Sequence, residues 1–323
     1  MRILITGAAG FVGPHLVDAL RAMCGEGVSI VATSKTADHV PHFGDSEALD
    51  VTDRRAVDAA IEHYAPSHIV HLAGISAPAQ ATNAPEIAWR VHVQGTLNLA
   101  YAIMEKAPNC WLVNAGTGLV YGSSSSSGLP LNETAILAPI DEYGVTKAAA
   151  DLALGALALR GLKCVRLRPF NHTGIGQTGT FAIPAFAMQI AKIEAALVEP
   201  IIRVGNLEAE RDYLDVRDVA TAYARVVRNT KAIKTGMILN IASGKAYRVG
   251  DLLEMLLAFS DVRIKVEQDL ARMRPTDLPR IVGNAEKARQ LLGWERKYAM
   301  EDTLSDVLAS CRARVAGAPT DGC

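Results

Sequence analysis

The segment Arg2-Ile-Leu-Ile-Thr-Gly7-Ala-Ala-Gly10-Phe-Val-Gly13 decides the fold of this chain. Its first five residues form a short apolar run of strand length, and the pattern from Pro14 to Met23 is helical. A strand, a glycine turn and a helix in this order are typical of dinucleotide binding. Gly7 permits the tight turn, Gly10 lets the backbone approach a pyrophosphate, and Gly13 allows close packing of the helix on the strand.

Apolar runs of strand length and helical patterns alternate along the first half of the chain, which indicates a sheet with helices between its strands. The runs are Val28 to Ala32, Ser67 to Gly74, Cys110 to Asn114 and Lys163 to Arg168, and the helical patterns are Val91 to Lys106 and Tyr143 to Arg160. We therefore predict an α/β protein with a Rossmann-type doubly wound parallel sheet. Residues 1–170 form this dinucleotide-binding domain, to which later segments return.

Beyond residue 170 the alternation becomes irregular, and the segments there are typical of insertions that build a second lobe. We predict a smaller C-terminal α/β lobe in residues 171–312 that binds substrate. Residues 313–323 are rich in Gly, Ala and Pro, so we expect a disordered tail.

Composition limits the kind of partner. Lys plus Arg number 33 and Asp plus Glu number 34, a formal charge of −1, so no global field attracts nucleic acid or an anionic membrane. The five cysteines are scattered without metal-ligand spacing, which indicates reduced thiols and no metal. No cleavable signal is evident, and no apolar segment reaches about 18 residues, so we expect a cytoplasmic protein.

The end of the second strand bears on the choice of cofactor. An NAD-selective site usually places an acid here, but the chain has Thr33-Ser34-Lys35. Ser34 and Lys35 suit a 2′-phosphate, which favours NADPH with NADH as an alternative, although a solvated loop lysine explains Lys35 equally well. Asp50 and Val51 follow the next short element, where Asp50 is within reach of an adenine amino group.

Small residues end the next strand, as a strand beneath a cofactor requires: these are Leu72, Ala73 and Gly74. His68 and His71 precede them. Three apart on a strand, these two side chains face opposite sides, so we interpret them as edge or core histidines rather than as metal ligands.

Tyr143 and Lys147 carry the chemistry that we predict. Four apart on a helix, they lie on one face, and an ammonium near a phenol is expected to lower the phenol pKa from its usual value of about 10. Thr117 follows a strand at the carboxyl edge of the sheet, where it can hydrogen-bond the same carbonyl as Tyr143. The alternative is that these two residues belong to a surface helix in which their spacing arises by chance and has no function. The run Ser123 to Ser127 is expected to be a mobile loop, a candidate lid.

Together these motifs resemble the extended short-chain dehydrogenase/reductases over residues 1 to about 312. Three segments are most similar to the branch that reduces GDP-4-keto-6-deoxy-D-mannose to GDP-D-rhamnose: Arg168-Pro-Phe-Asn-His-Thr-Gly-x-Gly-Gln177, Glu210-Arg-Asp-Tyr-Leu-Asp-Val-Arg-Asp218 and Ala271-Arg-Met-Arg274. The resemblance implies a GDP-sugar substrate and a homodimer formed through the helices Val91 to Lys106 and Tyr143 to Arg160.

The resemblance also implies roles for individual residues. Tyr143 is the acid, Lys147 binds the nicotinamide ribose and Thr117 orients the sugar carbonyl. Cofactor contacts are implied for Gly7, Gly10, Phe11, Val12, Gly13, Ser34, Lys35, Asp50, Val51, Leu72, Ala73, Gly74, Tyr143, Lys147 and Pro169. Substrate contacts are implied for Thr117, Asn171, Val204, Asn206, Arg211, Arg274 and Asp277.

The chain departs from the family pattern at two places. Sugar-nucleotide dehydratases of this family have an acidic pair after the active-site Thr, but this chain has Gly118 and Leu119. Without a base there, water elimination lacks an agent, so we expect hydride transfer only. His92 stands where the pattern usually has Asn, which is either a benign swap of polar groups or a change in how that helix positions the sheet edge.

Other functions remain open at this stage. One is a C4 epimerase that retains NAD, another is a reductase that forms the 6-deoxytalose epimer, and a third is a non-catalytic dinucleotide sensor on the same fold.

Overall fold

The computed structural model describes residues 1–25, 27–273 and 278–317. Its centre is a seven-stranded parallel sheet in the order β12-β8-β7-β6-β1-β2-β5. The strands along the described chain are β1 Arg2–Thr6, β2 Ser29–Ser34, β3 His39–Val40, β4 Gly44–Asp45, β5 Glu47–Ala48, β6 His68–His71, β7 Trp111–Ala115, β8 Cys164–Pro169, β9 Asn171–Thr173, β10 Ile201–Val204, β11 Glu210–Asp215, β12 Met237–Ile241, β13 Ala246–Arg248, β14 Lys265–Gln268 and β15 Arg280–Ile281.

Helices cover both faces of this sheet, which confirms the predicted doubly wound fold. The α-helices are α1 Val12–Cys24, α2 Arg54–Tyr64, α3 Pro78–Asn83, α4 Pro85–Ala88, α5 Thr96–Lys106, α6 Glu142–Leu159, α7 Ala182–Glu194, α8 Val216–Asn229, α9 Val249–Leu257, α10 Glu286–Leu292 and α11 Met300–Val315. Helices α1 and α8 pack together on one face, while α5 contacts α2 and α6 on the other. The central strands are therefore buried on both sides and have apolar residues at most of their inner positions.

A smaller lobe follows, built around a separate apolar core from α7, α9 and α11. Its strands form two small sheets: β10 pairs with β14, while β11 pairs with β9, β13 and β15. The late strand β12 and helix α8 instead belong to the large sheet and its helical layer. This lobe confirms the predicted C-terminal α/β unit and leaves the carboxyl edge of the large sheet facing it.

Two predicted helices begin and end close to the observed ones, but one is not uniform. The predicted helix Val91 to Lys106 starts as a π-helical stretch, Trp89–Gly95, and becomes α-helical only at Thr96. A π-helical turn inserts an extra residue and often marks a functional site. The helix predicted from Tyr143 is α6, which begins one residue earlier because the Asp141 carboxylate caps it by accepting the Gly144 N–H at 2.7 Å.

The serine run is not a loop over the substrate, so that prediction is wrong. It lies in short 3₁₀ turns spanning Gly118–Ser127, kinked at Gly122. The Ser124 hydroxyl donates to the Ile136 carbonyl at 2.9 Å, and the Ser123 N–H donates to Ala138 at 2.9 Å. The run therefore packs on residues 136–138 and does not line the cleft.

The chain end differs in part from the prediction. Helix α11 continues to Val315, so residues 313–315 are helical and not part of a tail, while residues 318–323 lie outside the described part of the chain. Within the described residues, no helix combines the length and apolar character that a membrane span needs.

Candidate active site

A cleft of about 950 Å³ opens where the carboxyl ends of the central strands face the smaller lobe. It has the size of a site for a nucleotide-sized ligand. In doubly wound sheets this edge is where ligands bind, because the connections from the strands diverge there. Residues from the glycine turn, from the ends of β6, β7 and β8, and from the lobe line it together.

The glycine turn is shaped for close approach of a ligand. Gly7 has φ +69°, and a Cβ there would lie 2.7 Å from the Ala73 Cα, so a side chain is excluded twice over. A Cβ at Gly13 would overlap the Ala8 carbonyl, so this glycine lets α1 pack on the turn. Gly10 lines the cleft at the start of α1, where free N–H groups and the helix dipole favour a pyrophosphate. These residues fit a dinucleotide.

Of the residues predicted near the adenosine end of the cofactor, Ser34 lines the cleft, whereas Lys35, Asp50 and Val51 are not among its lining residues. Ser34 lines the cleft, and its hydroxyl accepts the Ala9 N–H at 3.1 Å, so it also holds the glycine turn. Lys35 does not line the cleft; its side chain is 82% exposed, with Nζ 3.9 Å from Asp50. Asp50 accepts the Thr52 N–H and hydroxyl, at 2.9 and 2.7 Å, which lowers its pKa. Val51 is buried beneath the π-helical stretch.

Thr117 and Tyr143 meet at the centre of the cleft. The backbone turns after β7, and the Thr117 hydroxyl accepts the Leu119 N–H at 3.2 Å, which begins the next helical turn. The Tyr143 phenol, in the first turn of α6, lines the cleft beside Thr117, whose hydroxyl acts to lower the phenol pKa. One turn later Lys147 lines the same cleft, and its Nζ donates to the Ala115 carbonyl at 3.1 Å. Thr117, which follows β7, thus meets Tyr143 and Lys147 of α6 in one cleft.

The acidity of this pair differs from the prediction. Burial raises the pKa of Tyr143 to about 12, and the hydrogen bond from Thr117 only partly offsets it. Burial lowers the pKa of Lys147 to about 8. The expected lowering of the phenol pKa by the ammonium is therefore wrong for this structure, in which desolvation is the largest effect on the phenol. A high phenol pKa keeps the proton on Tyr143 at neutral pH, which suits a proton donor.

The two positions after Thr117 carry no acid or base, and the packing explains the first of them. A Cβ at Gly118 would lie 2.9 Å from the Phe170 ring, so a carboxylate side chain there would displace that ring. Leu119 lines the cleft with apolar surface. The site therefore has a proton donor at Tyr143 but no carboxylate beside it at these positions to remove a proton from carbon.

The substrate-side residues lie toward the smaller lobe. Pro169, at the end of β8, also lines the cleft, as do Phe11, Val12, Leu72, Ala73 and Gly74 on the cofactor side. Asn171, Val204, Asn206 and Arg211 line the lobe side of the cleft. Arg211 is 9% exposed and donates to the Glu210 carbonyl at 2.8 Å. Arg274 and Asp277 lie outside the described residues, whose flanking neighbours Met273 and Leu278 line the cleft.

Several cleft residues escape the sequence analysis. Asp38 lines the cofactor side four residues beyond β2, where its carboxylate accepts the Thr36 hydroxyl at 2.6 Å. Tyr223 of α8 is 2% exposed and lines the cleft; burial and the neighbouring Tyr143 raise its pKa. The sequence could have indicated Asp38, because it is an acid that follows β2 at a longer spacing than usual. It could not have indicated Tyr223, which occupies a position in an amphipathic helix like those of ordinary core residues.

The two histidines of β6 have separate partners. His68 bonds to Thr230 Oγ1 at 3.0 Å, and His71 bonds to Thr6 Oγ1 at 2.7 Å. Burial lowers the pKa of His68 to about 4 and that of His71 to about 3. Both imidazoles are therefore neutral and hydrogen-bonded within the core, in agreement with their interpretation as core residues.

Comparison with known proteins agrees with this architecture. The family described as GDP-mannose 4,6 dehydratase matches residues 4–307. The chain is 31% identical to a GDP-6-deoxy-D-mannose reductase of Pseudomonas aeruginosa over 97% of this chain and 98% of that protein. It is 27% identical to a GDP-6-deoxy-D-talose 4-dehydrogenase of Aggregatibacter actinomycetemcomitans over 92% and 93% of the two chains.

Solved structures give the same result. The structure of RMD from Pseudomonas aeruginosa complexed with NADPH has a TM-score of 0.84 and 27% identity, covering 97% of this chain and 99% of that one. A UDP-glucose 4-epimerase from Thermus thermophilus in complex with NAD also has a TM-score of 0.84, at 25% identity with 97% and 99% coverage. The match over nearly the whole sequence, with the glycine turn and the Thr117, Tyr143 and Lys147 arrangement, confirms the predicted family: the chain belongs to the GDP-mannose 4,6-dehydratase family of extended short-chain dehydrogenase/reductases.

Proposed function

We propose that this enzyme uses NADPH to reduce the C4 keto group of GDP-4-keto-6-deoxy-D-mannose and forms GDP-D-rhamnose. The observation that carries the proposal is the meeting of Thr117, Tyr143 and Lys147 in one cleft, with Gly118 and Leu119 in place of acid and base. This set protonates a carbonyl oxygen but does not eliminate water. The 31% identity to a GDP-6-deoxy-D-mannose reductase supports the choice of sugar.

The residues on the cofactor side have a consistent set of roles in this proposal. The turn at Gly7, Gly10, Phe11, Val12 and Gly13 would hold the pyrophosphate, with Ser34 at the 2′-phosphate and Leu72, Ala73, Gly74 and Pro169 along the nicotinamide half. Lys35, Asp50 and Val51 are not among the residues that line the cleft; we assign Lys35 to the 2′-phosphate and Asp50 and Val51 to the adenine from the sequence pattern. When bound, NADPH supplies the hydride. Lys147 would hold the nicotinamide ribose, and NADH is the alternative cofactor.

The residues on the substrate side position the sugar. Tyr143 keeps its proton at neutral pH because burial raises its pKa to about 12. It gives that proton to the sugar oxygen, and Thr117 orients the same oxygen with its hydroxyl. Asn171, Val204, Asn206, Arg211, Arg274 and Asp277 would bind the GDP part, in which an arginine is suited to two-point contacts with a diphosphate. Binding the remote nucleotide fixes the carbonyl near its proton donor.

The domain boundaries, the assembly and the location belong to the same proposal. We place the cofactor-binding domain at residues 1–170 and the substrate lobe at 171–312. We propose a cytoplasmic homodimer whose contact runs along α5 and α6. Large apolar side chains on α6 support this face, since Leu152 is 59% and Leu159 92% exposed.

The rival reactions use the same fold and leave different traces. A C4 epimerase returns the hydride to the other face of the sugar and needs no net reductant, so it would be purified with NAD and would interconvert nucleotide-sugars without added NADPH. The talose-forming alternative consumes NADPH but gives the other C4 epimer. A dinucleotide sensor has no need for an acid in its site and would turn over none of these sugars.

The proposal is tested by following NADPH oxidation with GDP-4-keto-6-deoxy-D-mannose, then with the corresponding UDP and dTDP sugars as matched controls. We expect turnover with the GDP sugar and much less with the others. Epimerisation without reductant would support the epimerase instead, and binding of NADPH without turnover of any sugar would support the sensor.

A further inference from the structure

His92 is one of the places at which this chain departs from the family pattern, and its side chain packs against residues that line the cleft. It is 1% exposed and belongs to the π-helical stretch Trp89–Gly95. Its Nδ1 lies 2.8 Å from Thr146 Oγ1, and its Nε2 lies 3.0 Å from both the backbone nitrogen and the carbonyl oxygen of Ile75. The imidazole thus bridges two segments that are 71 residues apart.

Both of these segments form part of the cleft. Ile75 directly follows Leu72, Ala73 and Gly74 and lines the cleft with them. Thr146 is the residue before Lys147 on α6 and is fully buried. Its hydroxyl also lies 2.8 Å from the Glu142 carbonyl and 3.1 Å from that of Tyr143. The bridge therefore connects the cofactor wall with the helical turn that carries the proton donor.

The same ring packs against the catalytic side chains. Its centroid lies 5.6 Å from that of Tyr143 with an interplanar angle of 87°, an edge-to-face contact. A Cβ placed on Gly74 would lie 3.2 Å from His92 Cδ2 and 3.2 Å from Lys147 Nζ. The imidazole, the ammonium and the backbone of the wall therefore meet at one point.

We propose that His92 is a positioning residue whose imidazole ties the Ile75 segment to Thr146 and thereby holds Tyr143 and Lys147 in the dry, fixed arrangement that proton transfer requires. The inference rests on the proposed function only for its activity readout. His92 touches neither reacting atoms nor substrate in this account; it acts through Tyr143 and Lys147.

Hydrogen bonding explains why a neutral imidazole serves this purpose. With Nδ1 protonated, the ring donates to Thr146 and accepts the Ile75 N–H; the other neutral tautomer accepts the Thr146 hydroxyl and donates to the Ile75 carbonyl. Both nitrogens are paired in either case. The titratable groups that face the ring are Lys147 and Tyr143 from α6 and His71 from β6, and burial followed by the charge of Lys147 lowers the pKa of His92 to about 3.

A second line of contacts anchors the other side of the residue. The His92 carbonyl accepts the Thr96 hydroxyl at 2.6 Å, and Thr96 Oγ1 lies 3.1 Å from His71 Nε2. His71 in turn reaches Thr6, the residue before the glycine turn. The bridge is thus fixed to the central sheet. An asparagine amide is shorter than the imidazole, so we expect it not to reach Ile75 and Thr146 at the same time.

The test compares His92→Asn with Thr146→Val, which removes the hydroxyl partner at constant shape, and with the double variant. The matched control is His68→Asn, since His68 is also a buried, neutral histidine bonded to hydroxyls, but at the far end of β6. Four quantities are measured for each: kcat, KM for the sugar, NADPH affinity against pH by cofactor fluorescence, and the melting temperature.

We expect His92→Asn to lower kcat by about 10–100-fold with little change in KM, because the donor is misplaced while the nucleotide contacts remain. Thr146→Val should lower kcat in the same direction, and the double variant should lose less than the product of the two losses. Water admitted beside Lys147 should raise its pKa from about 8 towards its usual value, so the alkaline loss of NADPH affinity should move to higher pH in His92→Asn.

His68→Asn should lower the melting temperature without either effect. The proposal is overturned if Thr146→Val and His92→Asn keep the wild-type kcat and pH dependence, or if His68→Asn changes them equally, which would make all three purely structural. Thr146→Val decides alone if His92→Asn does not fold. A wild-type protein without sugar turnover contradicts the proposed function, yet the pH dependence of NADPH binding still tests the bridge.

Discussion

Lowering the pH should destabilise this protein steeply, because three buried histidines are neutral in the folded state. Burial is the main cause that lowers the pKa of His68 to about 4, and of His71 and His92 to about 3. In the unfolded chain each titrates near its usual value of about 6.5. Between these values the unfolded state binds more protons, so stability falls as the pH drops below about 6.5 and keeps falling to about 3–4.

The magnitude follows from the difference in proton binding. At about pH 5 the pH lies about 1.5 units below the pKa of each unfolded imidazole. Protonation therefore stabilises the unfolded state by about 2 kcal/mol for each histidine and by about 6 kcal/mol for the three. The loss is comparable to the whole free energy of unfolding of a typical domain, about 5–15 kcal/mol. We therefore expect the protein to be marginally stable at about pH 5 while the carboxylates are still charged.

Urea unfolding at about pH 7.5 and pH 5, followed by tryptophan fluorescence and circular dichroism, measures this difference. His68→Asn should unfold more easily at neutral pH and lose about 2 kcal/mol less between the two pH values than the wild type. The result would contradict this prediction if the free energy of unfolding of the wild type differed by less than about 1 kcal/mol between the two pH values, or if His68→Asn showed the same difference as the wild type. Either outcome would show that protonation of these imidazoles does not destabilise the folded state.

Three further predictions concern the cleft. Tyr143→Phe should lower turnover by about 10²–10⁴-fold and leave NADPH binding intact, since only the proton donor is lost; near-normal kcat in stopped-flow assays would contradict its role as acid. Lys35→Ala should raise KM for NADPH and spare NADH if Lys35 reaches the 2′-phosphate, and equal effects in steady-state kinetics would make it a surface lysine. Arg211→Lys should weaken GDP binding by about 1–3 kcal/mol in calorimetry with an unchanged melting temperature, because an ammonium lacks the planar fork; unchanged affinity with lowered melting would make Arg211 structural. The same test applies to Arg274→Lys.

The sheet could be predicted because its strands are buried on both faces. Arg2–Thr6 and Trp111–Ala115 each contain three consecutive apolar residues, and such runs are hard to mistake when turns and helices separate them. The site was also visible in outline, since Thr117 and Tyr143 follow elements whose ends must meet at one edge of a parallel sheet. The convergence of these residues required only the topology.

Details that depend on packing were beyond the sequence. The π-helical stretch around His92 keeps the same residues as a regular helix, so apolar spacing does not reveal it. The serine run forms helical turns because its hydroxyls find backbone carbonyls at residues 136–138, partners that are distant in sequence. A coil prediction from composition alone cannot include such partners.

Acidity was the clearest failure of sequence reasoning. The spacing of Tyr143 and Lys147 predicts a charge near the phenol, but it says nothing about how deeply both groups are buried. In the structure desolvation dominates and favours the neutral form of each group. It raises the pKa of Tyr143 to about 12 and lowers the pKa of Lys147 to about 8. In the proposed reaction, the Tyr143 phenol would hold its proton until the sugar carbonyl oxygen accepts it.

The identity of the reaction product is the most direct test of the proposed C4 reduction. The purified protein is incubated with GDP-4-keto-6-deoxy-D-mannose and NADPH carrying deuterium at the transferred position, and the product is analysed by proton NMR. If the protein reduces the C4 keto group as proposed, one equivalent of NADPH is consumed for each GDP-D-rhamnose formed, and the product carries deuterium at C4 in the rhamno configuration. A talo configuration at C4, or interconversion of C4 epimers without consumption of NADPH, would contradict it.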